Sequence, residues 1–192
     1  MPPWRANIQN ALDQNLNKAE SRYMQLATMD SQQQPSVRTI VFRGFLENTS
    51  TLIMHTDQRS EKVAQISEQP RAQICWYFAD SREQFRLSGT LEIVAPLHEY
   101  SAANVQLREA HWHQLSEAAK PSYHWPAPGT TLISGQNPLG SADVNNDHIS
   151  EHFALLLLNI DTVDHLQLTP SPHQRCIYTI VNNQWKAKKL NP

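Results

Sequence analysis

With 192 residues, 40% hydrophobic and 18% charged, the chain has the size and composition of one globular domain able to bury a sizeable core, not of a disordered or coiled-coil segment. Sixteen Lys and Arg against 18 Asp and Glu give a formal charge of −2. That balance argues against a general nucleic-acid partner while leaving room for a local basic pocket.

Pro2 and Pro3 precede Trp4, Ile8, Leu12 and Leu16, whose spacing of four predicts an amphipathic N-terminal helix, 1–22. Residues 23–29 (YMQLATM) alternate as a strand, and 30–35 (DSQQQP) form a turn. The run 37–45 (VRTIVFRGF) is β-branched and apolar on both faces, as in a strand covered on both sides. A strand at 51–55 (TLIMH) leads to a short helix at 58–69, with Val63 and Ile66 inward and Pro70 as its stop. Strands follow at 71–78 and 84–94. In the second, Phe85, Leu87, Leu91 and Ile93 share one face and Gln84, Arg86, Ser88 and Thr90 the other. Residues 98–120 read as a helix packed through Tyr100, Leu107, Trp112 and Leu115, and 123–147 as a loop, so that 98–147 is an insertion within a single domain spanning 1–192. Four strands end the chain at 153–160, 162–168, 175–181 and 184–190, with Asn182-Asn183 as a tight turn. Many antiparallel strands with few helices predict a mainly β (α+β) fold, a small barrel or closed sheet.

The N-terminus has no long apolar run, and 153–158 (FALLLL) is too short to span a membrane, which predicts a soluble cytoplasmic protein with no membrane partner. The five glycines fit neither glycine-rich phosphate cradle, and Cys75 and Cys176 make no C-x-x-C. His148-Ile149-Ser150-Glu151-His152 matches H-x-x-E-H literally. Its flanks, DVNND and FALLLL, leave no room for the long helix that this zinc chemistry needs, so no metal is expected. A different constellation is more informative. His55-Thr56 ends a strand, and Arg59, Ser60 and Lys62 open the following helix. Cations and hydroxyls beside helix N–H groups suit a phosphate, although the same residues suit a solvated helix start. Arg38 would bring a third cation and Gln84 an amide for a heterocycle edge. Arg38 and Arg43, five apart, fall on opposite faces of a regular strand.

The order VRTIVFRGF, MHTDQRSEK, PRAQICWYF and EQFRLSGTLE resembles the pyridoxamine 5'-phosphate oxidase-like family, and the termini PPWRANIQNAL and WKAKKLNP resemble its short subgroup. The resemblance implies an antiparallel FMN-binding split β-barrel with flanking helices, and a homodimer with FMN in a cleft between subunits. It further implies that Arg38, Thr39, Ile40, Val41, Phe42 and Arg43 line the FMN, with Arg38 and Lys62 at its phosphate. His55 and Thr56 would touch the cofactor, with Arg59 and Ser60 beside them, and Gln84 would meet the isoalloxazine ring. Gln136-Asn137 resembles a pair supplied by the second subunit, His165 stands where the oxidases have a tryptophan, and Arg175 matches an arginine near the flavin.

The sequence departs from the family pattern in three places. Glu61 replaces a second phosphate-binding arginine, so that Arg59 would have to compensate. Ser171-Pro172-His173 lacks the arginine of a substrate-binding Arg-x-His pair, and no Tyr…Arg…Ser clamp stands between Val105 and Gln136. His173 and Arg43 are the candidate catalytic groups. The leading expectation is an FMN-dependent oxidoreductase of the pyridoxamine 5'-phosphate oxidase type acting on an unknown small molecule. The alternatives are a non-catalytic flavin carrier and a split barrel holding another cofactor, such as haem.

Overall fold

The computed structural model describes residues 2–96, 101–132 and 148–192. Helix α1 (Pro3–Gln14) starts on Pro3, whose missing N–H costs nothing in a first turn, and buries Trp4, Ile8 and Ala11. A 3-10 turn (Ala19–Arg22) then enters β1 (Tyr23–Met29), so the N-terminal segment is a helix and a separate turn rather than one helix to residue 22. The order continues through β2 (Pro35–Phe45), β3 (Thr51–Asp57), α2 (Glu61–Glu68), β4 (Arg71–Phe78), β5 (Glu83–Val94) and α3 (Ala102–His113). It ends with β6 (Phe153–Gln167), β7 (Gln174–Val181) and β8 (Gln184–Leu190).

The eight strands of the described residues form one sheet in the order β3-β2-β1-β4-β5-β6-β7-β8, and an additional pairing of β3 with β6 closes the first six into a barrel. Every pairing is antiparallel. The chain thus adopts the mainly β split-barrel architecture expected from its sequence.

Strand β6 holds the barrel and its extension together. The sequence predicts two strands here, but β6 runs unbroken for 15 residues because β5 accompanies it from Val94↔Leu155 to Glu83↔Gln167. On its other edge, Phe153 to Asn159 pair with β3 and Thr162 to Gln167 with β7. The change of partner coincides with a β-bulge at which β6 carries one extra residue, Asp161, against Ser88 and Gly89 of β5. Glycine is required there, since a Cβ would lie 2.2 Å from the Asn159 carbonyl oxygen.

The run FALLLL is apolar on both faces because both are covered. Leu156 and Leu158 enter the barrel interior with Met24, Leu26, Trp76 and Phe85. Phe153, Leu155 and Leu157 meet Ile53, Val94, Trp112 and Leu115 beneath α3. That helix is shorter than the sequence predicts. Ser101 Oγ accepts the Asn104 N–H as its N-cap, and a second 3-10 turn (Lys120–His124) takes up part of the remainder. Trp112, Leu115 and Leu107 pack inward, whereas Tyr100 lies outside the described residues. Helix α2 begins at Glu61 rather than at residue 58, because Ser60 N–H closes a turn onto the Asp57 carbonyl.

One expectation fails at β2. Val37 is 63% exposed, and Thr39 and Arg43 are also exposed, so only the Ile40–Phe42 face is covered within this chain. Asn182 and Asn183, at φ of 51° and 60°, make the tight turn between β7 and β8. Among the described residues, no helix is long and apolar enough to cross a membrane.

Candidate functional site

Arg38 lies on the inward face of β2 and reaches past β1 toward α2. Its Nη1 donates to Thr28 Oγ1, and its Nη2 donates to Ser36 Oγ at 2.6 Å and Gln65 Oε1 at 2.9 Å. Lys62, in the first turn of α2, donates to Ser60 Oγ at 2.9 Å and Thr56 Oγ1 at 3.3 Å. All of these acceptors are neutral, and among the described residues neither cation forms an ion pair. Burial lowers the pKa of both groups, and the Arg38 charge lowers Lys62 further. Glu61 opposes both shifts and Asp57 opposes that of Lys62, but among the described residues neither carboxylate hydrogen-bonds to either cation, so the pair keeps capacity for a further anion.

Beside them, Thr39, Ile40, Val41 and Arg43 from β2, His55, Thr56 and Asp57 from β3, Lys62 and Tyr123 line a cleft of about 230 Å³. The two arginines of β2 occupy opposite faces, with Arg43 at the bulge between Phe42 and Gly44. Phe42 is not in this cleft; it is buried against Phe45 and Trp76. His55 Nε2 lies 3.0 Å from His111 Nδ1 of α3. Burial, then the charges of Arg43 and His111, pushes His55 down to about 3, and burial with Arg43 also lowers His111. Both imidazoles are therefore neutral at physiological pH, and only one of the two facing nitrogens carries a hydrogen. Burial pushes the Tyr123 hydroxyl up to about 12.

Arg59 is held elsewhere. Its Nε and Nη2 grip Asp57 at 3.0 and 2.6 Å, and its Nη1 donates to the Trp125 carbonyl at 3.0 Å. It therefore does not supply the compensation expected of it opposite Glu61. Glu61 Oε1 instead accepts the Gln65 side-chain N–H at 2.8 Å, which turns the Gln65 oxygen toward Arg38 and Thr28. The carboxylate thus orients the acceptor that holds Arg38.

Gln84 lies on the outer face of β5 opposite Tyr77 and Leu166 and does not line the cleft. His165, His173 and Arg175 line a second cavity, of about 480 Å³, among α1, β6, β7 and β8. Arg175 grips Asp164 with two hydrogen bonds, at 3.0 and 2.7 Å, and Arg86 contacts the same carboxylate. Burial pushes the Asp164 carboxyl up, but Arg175 and Arg86 outweigh it and hold the group below the usual carboxylate range. Gln136 and Asn137 lie outside the described residues. Among those described, no group of three His, Cys, Asp or Glu residues is placed to hold a metal.

Sequence reasoning missed Thr28, Gln65, His111 and Tyr123. Only Gln65 left a signal, its i+4 spacing from Glu61 on a helix; the others arrive through register and helix packing. Two cations with uncharged acceptors and two hydroxyls, next to a strand edge, fit the phosphate monoester of FMN. Lys62, Arg38, Thr56 and Ser60 are the residues that would hold it.

Comparison with known proteins gives the same picture. A family described as pyridoxamine 5'-phosphate oxidase, FMN-binding domain, matches residues 1–95, the span that contains Arg38 and Lys62. Pyridoxine/pyridoxamine 5'-phosphate oxidase 2 of Arabidopsis thaliana is 34% identical over 99% of this chain and 97% of its own. The pyridoxine/pyridoxamine 5'-phosphate oxidase of Pseudomonas putida is 25% identical over 90% of this chain and 79% of its own. A pyridoxamine 5'-phosphate oxidase-related, FMN-binding protein from Nostoc punctiforme matches with a TM-score of 0.92 and 40% identity, covering 100% of this chain and 99% of that one. PhzG from Burkholderia lata, at 19% identity and a TM-score of 0.78 over 100% of this chain and 93% of its own, shares the fold. With a relative 34% identical over 99% of this chain and 97% of its own, the chain belongs to the pyridoxamine 5'-phosphate oxidase family of FMN-binding proteins.

Proposed function

We propose that the protein is an FMN-dependent oxidoreductase acting on a small molecule, working in the cytoplasm as a homodimer with the cofactor held between subunits. The observation that carries this reading is the Arg38–Lys62 pair, two part-buried cations whose described partners are all neutral. Bound FMN supplies the capacity to accept a hydride. The chain contributes position and field. Thr56 and Ser60 orient the Lys62 ammonium toward a phosphate. Arg43 sets a positive charge on the cleft wall, where it helps keep His55 and His111 uncharged and favours negative charge developing on a bound group. Tyr123, kept protonated by burial, forms a wall that narrows access for water.

Support for a second copy comes from the outer face of β1, β2 and β4, where Tyr23, Val37 and Tyr77 are exposed. Such a partner would cover the face of β2 that this chain leaves open.

The first test is an absorbance spectrum of the purified protein after FMN addition and desalting. Retained flavin bands are expected, and a protein that stays colourless would overturn the reading. Pyridoxine and pyridoxamine 5'-phosphates, offered under air, are expected to yield little peroxide, because Ser171 stands where the family pattern has a substrate arginine. Brisk turnover would identify one of them as the substrate. Light scattering that reports a monomer with FMN bound would remove the shared site.

A further inference from the structure

Strand β2 and helix α2 bring opposite charges close together without joining them. Burial lowers the pKa of Arg38 and of Lys62, and the charge of Glu61, at the start of α2, opposes both shifts. Among the described residues, however, Glu61 makes no ion pair. Between it and Arg38 stands the side chain of Gln65, one helical turn further along α2 and only 4% exposed. The Gln65 Nε2–H end donates to Glu61 Oε1 at 2.8 Å. The oxygen end accepts Arg38 Nη2 at 2.9 Å and the Thr28 hydroxyl at 2.6 Å.

The direction of this amide is fixed from three sides. Thr28 Oγ1 accepts Arg38 Nη1, so its single hydrogen is the one given to Gln65. A reversed amide would set N–H groups against Arg38 and Thr28 and its oxygen against the Glu61 carboxylate, losing all three bonds at once. Removing the amide has a different consequence. Arg38 Nη2 and Glu61 would then share the loss of one partner, and opposite charges one side chain apart attract across a part-buried site. An arginine–carboxylate fork formed there would use up the charge that the Arg38–Lys62 pair keeps for an anion.

We propose that Gln65 is a neutral spacer that keeps Arg38 and Glu61 from closing into an ion pair, and so holds the Arg38 charge ready for an anionic phosphate group. Gln65 is a positioning residue: it does not line the cleft and acts through Arg38. Glu61 completes the device, since its carboxylate takes the N–H end and points the oxygen at the guanidinium. This deepens the FMN-dependent reading and rests on it for the identity of the anion. The spacer itself depends only on Arg38, Gln65 and Glu61.

The test is a mutant cycle on positions 61 and 65, read by quenching of FMN fluorescence, with riboflavin, which lacks the phosphate, as the control. Gln65→Leu keeps the helix and most of the volume but removes the spacer. Its Kd for FMN should rise about tenfold, with riboflavin binding unchanged. Adding Glu61→Gln removes the carboxylate onto which Arg38 closes, and should restore FMN affinity to within about threefold of the parent. Glu61→Gln alone keeps an oxygen for the Gln65 N–H and should bind FMN as tightly as the parent or more so. A crystal structure of FMN-free Gln65→Leu should show Arg38 paired with Glu61. If that variant does not fold, Gln65→Glu serves instead. Its carboxylate meets Arg38 directly, so FMN affinity should fall and Glu61→Gln should not restore it. Unchanged FMN affinity in the position-65 variants, an equal loss in the Gln65→Leu, Glu61→Gln double variant, or Arg38 and Glu61 still apart in the FMN-free crystal would each reduce Gln65 to a core hydrogen-bonding residue. A parent that takes up no FMN would sink the oxidoreductase reading alone, because the Arg38–Glu61 geometry of the FMN-free variant still decides the role of the spacer.

Discussion

Replacing Lys62 by Met should separate the cost of the cation pair from its use. In the free protein the Lys62 ammonium has hydroxyl partners, and its pKa is lowered by burial and by Arg38. A lysine whose folded pKa is depressed binds its proton more readily unfolded. Its charge therefore destabilises the fold at neutral pH, and the cost lifts only as pH rises through the folded pKa toward the ordinary lysine value. Met removes the charge and keeps most of the stem, so the FMN-free variant should melt at the same temperature as the parent or higher. FMN binding should move the other way. One charged hydrogen bond contributes about 1.5–3 kcal/mol, which corresponds to a rise in Kd of roughly ten- to 150-fold. Quenching of flavin fluorescence measures this directly, and riboflavin, which lacks the phosphate, is the control that both proteins should bind equally. Unchanged FMN affinity, or an equal loss of riboflavin, would show that Lys62 does not meet the phosphate.

Three other substitutions probe the remaining features. His55 is held down to about 3 from an ordinary 6.5, so on acidification through that window the unfolded chain takes up a proton that the folded chain refuses, and stability falls. His55→Phe should flatten the dependence of the urea midpoint on pH between neutral and mildly acidic buffer, and an unchanged slope would exonerate His55. Gly89→Ala forces a methyl against the Asn159 carbonyl and should cost about 2–3 kcal/mol or more in urea unfolding; a loss below about 0.5 kcal/mol would mean that β5 and β6 part easily there. Asp164→Asn leaves Arg86 and Arg175 without their shared carboxylate and should lower stability in urea unfolding at neutral pH. Because the Asp164 pKa is depressed, that contribution exists above the ordinary carboxylate range and disappears as pH falls through the folded value. The gap between parent and variant should therefore close in acid, and a gap that persists there would point to packing instead.

Local chemistry made most of the strands legible. Alternation along β5 gives its two faces, and the two-sided greasiness of FALLLL is what burial between barrel interior and α3 demands. The break predicted within β6 does not occur, because Asp161 looks like a turn residue until β5 is seen to run beside it. The apolar pattern of β2 asks for a cover on both faces, and within this chain only the Ile40–Phe42 face receives one. Charge spacing brought Lys62 and Arg38 to notice. It could not tell that Arg59 would turn back two residues to Asp57, or that Glu61 would bind Gln65. Glu83 and His165 are 82 positions apart and meet only through the β5–β6 register.

The seam between β3 and β6 also dictates when the barrel can form. Its first bridge, between Thr51 and Asn159, spans 108 positions, so the ring closes only after the whole α3 region has been synthesised. Without β6, β3 and β5 are the two edges of the sheet order that lack a partner. A chain that stops before Phe153 therefore lacks the one strand that both edges pair with, and delivery of β6 is the event that removes two free edges at once.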